Sequence, residues 1–378
     1  MTDDDIVVIG AGPAGLAISA CLHKAGLPHT VLERETEIGS AWRSHYDRLH
    51  LHTTKRYSAM PYTPWPAAAP RYPSRQQVVD YLESYKDQHN IVAQLGVRVQ
   101  RVSRKKGKLL VETDRGTRTA RCVVVATGYN GVANRPDFPG LEQFNGSVVH
   151  TAQYKNPHNL TGKKVLVVGC GNSGAEIALD LAEQGVDTSM VVRGPVHVIP
   201  RDLMGRPSQE TGIALSKLPI SLRDAIISTV MRFAVGDLSR WGIVRPKIGP
   251  QRMIEEQGRV PMLDVGTVAM IKAGKIRVVP AVSAVLPDSV QFADGTRLPF
   301  DTIILATGFK PGLGAWIDGF DAIADVRGRP DRFGSESGIP GLYFVGFKNP
   351  PTGALREIAI EAQRAADSIK SLFATPLQ

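Results

Sequence analysis

With 378 residues the chain is long enough for two domains of ordinary size, and its 43% apolar content is that of a globular protein with no apolar run of bilayer-spanning length. The net charge of +9 comes from basic residues scattered along the chain, which favours small anionic ligands and argues against nucleic acid as a partner. Three cysteines, Cys21, Cys122 and Cys170, form no CxxC pair, which argues against a disulfide framework, a metal site or a dithiol relay.

The acidic start, Met1 to Asp5, runs straight into the apolar strand Ile6-Val7-Val8-Ile9, so the sequence predicts no leader, no integral membrane segment and a cytoplasmic protein. Gly10-Ala11-Gly12-Pro13-Ala14-Gly15 follows, opening a helix-compatible segment from Leu16 to Ala25. Thr30-Val31-Leu32-Glu33 is a second strand ending in a carboxylate. Met60 to Pro73 is rich in proline but interleaved with Tyr62, Trp65 and Tyr72, which reads as a constrained loop, and Gln76 to His89 reads as a helix. The basic run from Arg104 to Lys108 reads as a solvated hairpin turn, and Cys122 to Gly128 as a buried strand ending in Ala-Thr-Gly.

A second glycine fingerprint, Gly169-Cys170-Gly171-Asn172-Ser173-Gly174, follows Val165-Leu166-Val167-Val168 and opens a helix from Ala175 to Gly185. The next strand, Ser189 to Arg193, ends in a guanidinium where the first unit has Glu33. Residues 205–262 form an apolar amphipathic stretch that reads as a substrate lid, a membrane-surface helix or extra packing. Thr302 to Gly308 repeats the Ala-Thr-Gly strand ending, Gly341 to Gly346 is a last strand, and a helix runs from Ala354 to Phe373.

One GxGxxG is weak evidence, but two in strand–loop–helix context predict two dinucleotide sites. The first glycine permits a tight turn, the second lets backbone approach a pyrophosphate, the third lets helix and strand pack, and the helix N-terminus supplies N–H donors. Glu33 suits ribose hydroxyls without a 2′-phosphate, which FAD offers; a surface carboxylate is the plainer reading. Arg193, with Arg201 nearby, suits the 2′-phosphate of NADPH; a surface charge is the plainer reading. The expected fold is α/β with two Rossmann-like dinucleotide-binding domains, the NADPH domain (157–280) inserted into an FAD domain formed by 1–156 and 281–378.

Laid out this way, the chain resembles the class B flavin-dependent monooxygenases, and among them the YUCCA type most closely. Phe144 to Tyr154 matches the FxGxxxHxxxY signature, and Tyr46 to His52, Val191 to Arg201, Gly236 to Pro250 and Pro261 to Gly266 look like YUCCA segments. The resemblance implies hydride transfer from NADPH to FAD, a C4a-(hydro)peroxyflavin and oxygenation of a small molecule by O2. Its favoured chemistry is oxidative decarboxylation of an aromatic 2-oxo acid such as indole-3-pyruvate to indole-3-acetate. N- or S-oxygenation, Baeyer–Villiger chemistry and electron transfer to a protein partner are the alternatives. The motifs and the resemblance together give FAD contacts at Gly10, Gly12, Pro13, Ala14, Gly15, Glu33, Arg34, Trp42, Leu51, Ala126, Thr127, Gly128, Gly346 and Phe347. They give NADPH contacts at Gly169, Gly171, Asn172, Ser173, Gly174, Glu176, Arg193, Arg201, Thr307 and Gly308. Catalytic candidates are His52, Lys55 and Asn130; His52 also reads as a core histidine. Trp42, Tyr57, Tyr62, Trp65 and Lys55 are candidates for a substrate pocket or for ordinary packing. Oligomeric state is left open, a homodimer included.

Overall fold

The computed structural model describes residues 2–348, 350 and 352–374. Its contacts divide the chain into two units. The first comprises the residues up to Ser44, Thr53–Val132 and those from Phe309 onward; the second comprises His45–His52 and Ala133–Gly308.

In the first unit, Thr2–Ile9 lies at the centre of a seven-stranded sheet, parallel to Thr30–Leu32 on one side and Gly116–Val125 on the other. Ile6 to Ile9 and Val123 to Val125 are buried because both sheet faces are covered, which explains their unbroken apolar runs. The long strand Gly116–Val125 has two partners on its outer edge. Its first half pairs antiparallel with Lys108–Thr113, and its last residues pair parallel with Leu342–Phe344. The basic run Arg104 to Lys108 closes the hairpin Val99–Lys105/Lys108–Thr113, with Lys106 and Gly107 both at positive φ, as a two-residue primed turn requires. Helix Arg75–Gln88 begins with a capping box, Ser74 accepting from the Gln77 N–H while the Gln77 side chain accepts from the Ser74 N–H.

In the second unit five parallel strands run in the order Ile276–Val279, Asp187–Val191, Lys164–Val168, Thr302–Leu305, Ser147–His150. The inserted unit is therefore wider than the predicted 157–280. Thr302–Leu305, read from the sequence as a return to the first domain, pairs directly with the second fingerprint strand. The physical reason is that a fingerprint strand buried on both faces needs a neighbour on each edge, and the two Ala-Thr-Gly strands carry the same local signal. Residues 205–262 supply helices Ser208–Leu215, Ile220–Ala234 and Pro250–Gln257. Asp224, on the second of these, accepts from the Gln251 and Arg252 N–H groups and so caps the third from outside. No described helix is long and apolar enough to cross a membrane.

Candidate functional site

The two fingerprints fold into closely matching cradles, one in each unit. Gly10 adopts φ +105°, and a Cβ there would lie 2.8 Å from the Ala126 carbonyl oxygen; Gly169 adopts φ +121°, with the Ala306 carbonyl oxygen at 2.5 Å. A Cβ on Gly15 would lie 1.8 Å from the Gly10 carbonyl oxygen, and one on Gly174 would lie 2.1 Å from that of Gly169. Both fingerprint helices, Pro13–Lys24 and Asn172–Glu183, thus start pressed against their own strands. At Gly12 and Gly171 the added atom would meet nothing within 4 Å. That is the space through which a phosphate reaches backbone, so the residues present fit a dinucleotide in each cradle. The Ala-Thr-Gly endings now have a reason, since Ala126 and Ala306 stand where the first glycine of each fingerprint makes its closest approach.

Around the first cradle, Glu33 is buried; Oε2 accepts the Ala11 N–H at 2.6 Å and Oε1 the Glu35 N–H at 3.0 Å. A carboxylate has about four lone-pair sites, so it holds the loop and retains capacity for ribose hydroxyls. Arg34 is half exposed and pairs with Glu35 at 3.0 Å. Trp42 lies in the short helix Ser40–Ser44, its N–H donating to the Gly39 carbonyl. Gly346, at φ +87°, faces Ala14, whose Cβ would lie 2.7 Å from an added one, and the Phe347 ring is buried in the core. Thr127 and Gly128 end the strand beside Gly10, with Thr127 exposed. The Gly346 N–H is taken by Glu361, a buried carboxylate of helix Ala354–Ala374 that sequence reasoning missed. Burial pushes the Glu361 carboxyl up, opposed by that N–H and by Lys348 3.5 Å away.

Around the second cradle, Asn172 Oδ1 accepts the Leu263 N–H, and Ser173 sits in the first turn. Arg193 is exposed at the end of Asp187–Val191, and its guanidinium has no partner among the described residues. Arg201 pairs with Asp202 at 3.3 Å. Thr307 donates to the Asn134 carbonyl, and Gly308, at φ +78°, offers its carbonyl to Asn134 and His150.

Glu176, His52 and Lys55, all predicted site residues, also make contacts within the protein. Glu176, assigned to the nucleotide, is buried, and its Oε2 receives the Tyr46 hydroxyl at 2.8 Å and lies 3.0 Å from His52 Nε2. Burial, with Glu176 beside it, pushes the Tyr46 phenol far up, so it stays a donor. The same helix face carries Asp180, which accepts from Tyr154, and Glu183, which pairs with Arg48. The segment His45–His52 is thereby held against the second fingerprint helix, because carboxylates at i, i+4 and i+7 share one face. Leu51, assigned to FAD, and His52 accordingly belong to the second unit. Lys55 and Asn130 belong to the first, and the Lys55 ammonium donates to the Ala67 and Ala69 carbonyls, so its donors clasp the proline-rich loop. Trp65 stacks on Tyr81 at 4.2 Å and Tyr62 bonds to Gln363, which are packing roles. The cysteines pack as well: burial pushes Cys21 up to about 11 and Cys170 up to about 12.

Glu176→Ala strands two donors in a buried setting and is expected to cost about 3 kcal/mol, against about 1 kcal/mol for Tyr46→Phe. Urea unfolding of both variants checks this; equal losses would remove Glu176 as the shared acceptor.

The FxGxxxHxxxY signature also has a structural content. Gly146 leaves room for the Phe144 ring, and Tyr154 donates to Asp180 at 2.7 Å. His150 Nδ1 accepts the Ala152 N–H at 3.2 Å, so its Nε2–H donates to the Gly308 carbonyl at 3.1 Å. Protonation would set N–H against N–H, and burial together with Arg135 holds this imidazole below its usual range. The unfolded chain therefore takes the proton first: the stability this histidine contributes is complete above about pH 6.5 and is lost as pH falls below it. His150→Gln is expected to flatten the decline in urea midpoint between pH 6.5 and 5; an unchanged slope would contradict the assignment.

Two cradles of this kind on parallel sheets, one beside an acidic strand end and one beside a basic strand end, define a flavoprotein that uses FAD and NADPH. Residues 7–203 match the pyridine nucleotide-disulphide oxidoreductase family. Indole-3-pyruvate monooxygenase YUCCA1 of Oryza sativa subsp. japonica is 43% identical over 348 residues, covering 90% of this chain and 86% of its own. Indole-3-pyruvate monooxygenase YUCCA6 of Arabidopsis thaliana is 39% identical over 96% of this chain and 89% of its own. Among solved structures, a flavin-containing monooxygenase from Stenotrophomonas maltophilia superposes with a TM-score of 0.75 at 26% identity, covering 99% of this chain and 100% of its own. The chain belongs to the YUCCA family of flavin-dependent monooxygenases.

Proposed function

We propose that this monooxygenase converts an aromatic 2-oxo acid of the indole-3-pyruvate type to the acid one carbon shorter. One oxygen atom of O2 enters the product, the other leaves as water, CO2 is released, and NADPH supplies two electrons. The observation that carries the substrate class is the 43% identity to the rice enzyme, spread over 90% of this chain. FAD, when bound and reduced by NADPH, would supply the activation of O2, from which the transferred oxygen atom comes.

The chain's own residues bind and orient. Gly10 to Gly15 and the N-terminus of Pro13–Lys24 take the FAD pyrophosphate, with Glu33 on the ribose. Gly169 to Gly174 and the N-terminus of Asn172–Glu183 take that of NADPH, with Arg193 and Arg201 on the 2′-phosphate. Glu176 holds the His52 imidazole through Nε2 and so fixes its orientation. Incubating purified holoenzyme with indole-3-pyruvate, NADPH and air tests the reading. Equimolar indole-3-acetate and CO2 are expected, and sulfoxidation of a thioether at a higher kcat/KM than the 2-oxo acid would overturn it.

A further inference from the structure

Within the second unit a pocket of about 280 Å³ is lined by Val196, Val198, Val235, Leu238 and Ile243 with Arg232 and Arg245 among them, none of them a nucleotide or catalytic candidate named above. Its walls are fixed. The Val196 N–H donates to the Val244 carbonyl, His197 Nε2 donates to the Ile248 carbonyl, and Val198 lies in a strand paired with Met262–Asp264. Arg245 closes the intervening loop by donating Nη2 to the Gly236 carbonyl at 3.0 Å.

The polar lining is basic. Asp237 is the one carboxylate in it, and its oxygens are occupied by the Ser239 N–H and hydroxyl at 2.9 Å. Arg232 is exposed with no partner among the described residues, and Arg245 donates through Nη2, to the Met231 and Gly236 carbonyls. Apolar walls beneath free guanidinium donors fit a ligand with an apolar body and one planar anionic head, which forked N–H groups grip as a carboxylate. At about 280 Å³ the pocket is just short of the roughly 300 Å³ at which ligand sites begin, so it suits at most a small ring acid and excludes a dinucleotide.

We infer that this pocket binds an arylalkanoate anion, the chemistry shared by the substrate and the product of the proposed reaction; the choice of probe rests on that reading. The test is equilibrium dialysis of labelled indole-3-acetate against FAD-loaded full-length enzyme without NADPH, so that no turnover intervenes. A saturable site in addition to the catalytic one is expected, weakened at least tenfold by Arg232→Gln and lost in Val196→Trp, which fills the cavity. The flavin spectrum reports whether each variant is folded. Indole-3-acetamide, which lacks the charge, is expected not to compete.

Steady-state kinetics then separate the two sources. A rise in KM for the 2-oxo acid in Arg232→Gln assigns the pocket to substrate, and an unchanged KM with loss of product inhibition assigns it to product. No binding by the wild type, equal binding by both variants, or equal competition by the amide overturns the inference. Binding at this pocket by an enzyme that turns over no 2-oxo acid retires the proposed reaction and leaves the pocket standing.

Discussion

Gly15→Ala is expected to yield protein that purifies without flavin, with FAD affinity lowered at least a hundredfold. An alanine Cβ would sit 1.8 Å from the Gly10 carbonyl oxygen, which is backbone and has no rotamer to escape into. The helix Pro13–Lys24 must move off its strand by more than an ångström, at the cost of overpacking, about 1–3 kcal/mol or more. The movement displaces the N–H groups that meet the pyrophosphate. Gly12→Ala is the informative contrast. Apart from its chain neighbours, no described residue lies within 4 Å of its added methyl, so the fold should tolerate it and the ligand meets it. The apo-protein is expected to melt at the wild-type temperature with FAD weakened about tenfold. Melting curves of both apo-variants with a flavin titration decide the matter, and a lower melting temperature for Gly12→Ala than for Gly15→Ala would contradict the geometry.

Arg193→Ala is expected to raise the Kd for NADPH by about 10- to 100-fold, the loss of one or two charge-assisted hydrogen bonds worth about 1.5–3 kcal/mol. NADH, which lacks the 2′-phosphate, is expected to bind unchanged. The exposed guanidinium with no described partner is what makes the effect separable, since its removal breaks no contact in the protein. Titration of the oxidised nucleotides NADP⁺ and NAD⁺ under the same conditions measures it, and parallel weakening of both would move the phosphate contact elsewhere.

Both fingerprints, their strands and helices, and the 104–108 hairpin are readable from the chain because each depends on local signals: an apolar run, glycine spacing, positive-φ turn residues. The strand Thr302–Leu305 was misread because Cys122 to Gly128 and Thr302 to Gly308 are locally equivalent, and their sheets are chosen by pairing partners far away in sequence. The contacts of Glu176 have the same origin. Its position just after Gly174 suggests a nucleotide contact, and nothing local shows that its Oε2 meets Tyr46 and His52, more than 120 residues earlier in sequence. Glu361 had no readable signal, since a carboxylate two turns into a helix is usually solvated and only the fold brings it to the Gly346 N–H. The exposed position of Arg193, two residues past Asp187–Val191, was legible because it depends on a strand next to a fingerprint and little else.

Labelled oxygen tests most directly whether FAD and NADPH serve one oxygen-transfer reaction here. With ¹⁸O2, indole-3-pyruvate and limiting NADPH, one ¹⁸O atom is expected in each indole-3-acetate molecule, one product for each NADPH consumed. NADPH consumed to hydrogen peroxide with the 2-oxo acid returned unchanged, or indole-3-acetate free of ¹⁸O, would contradict it.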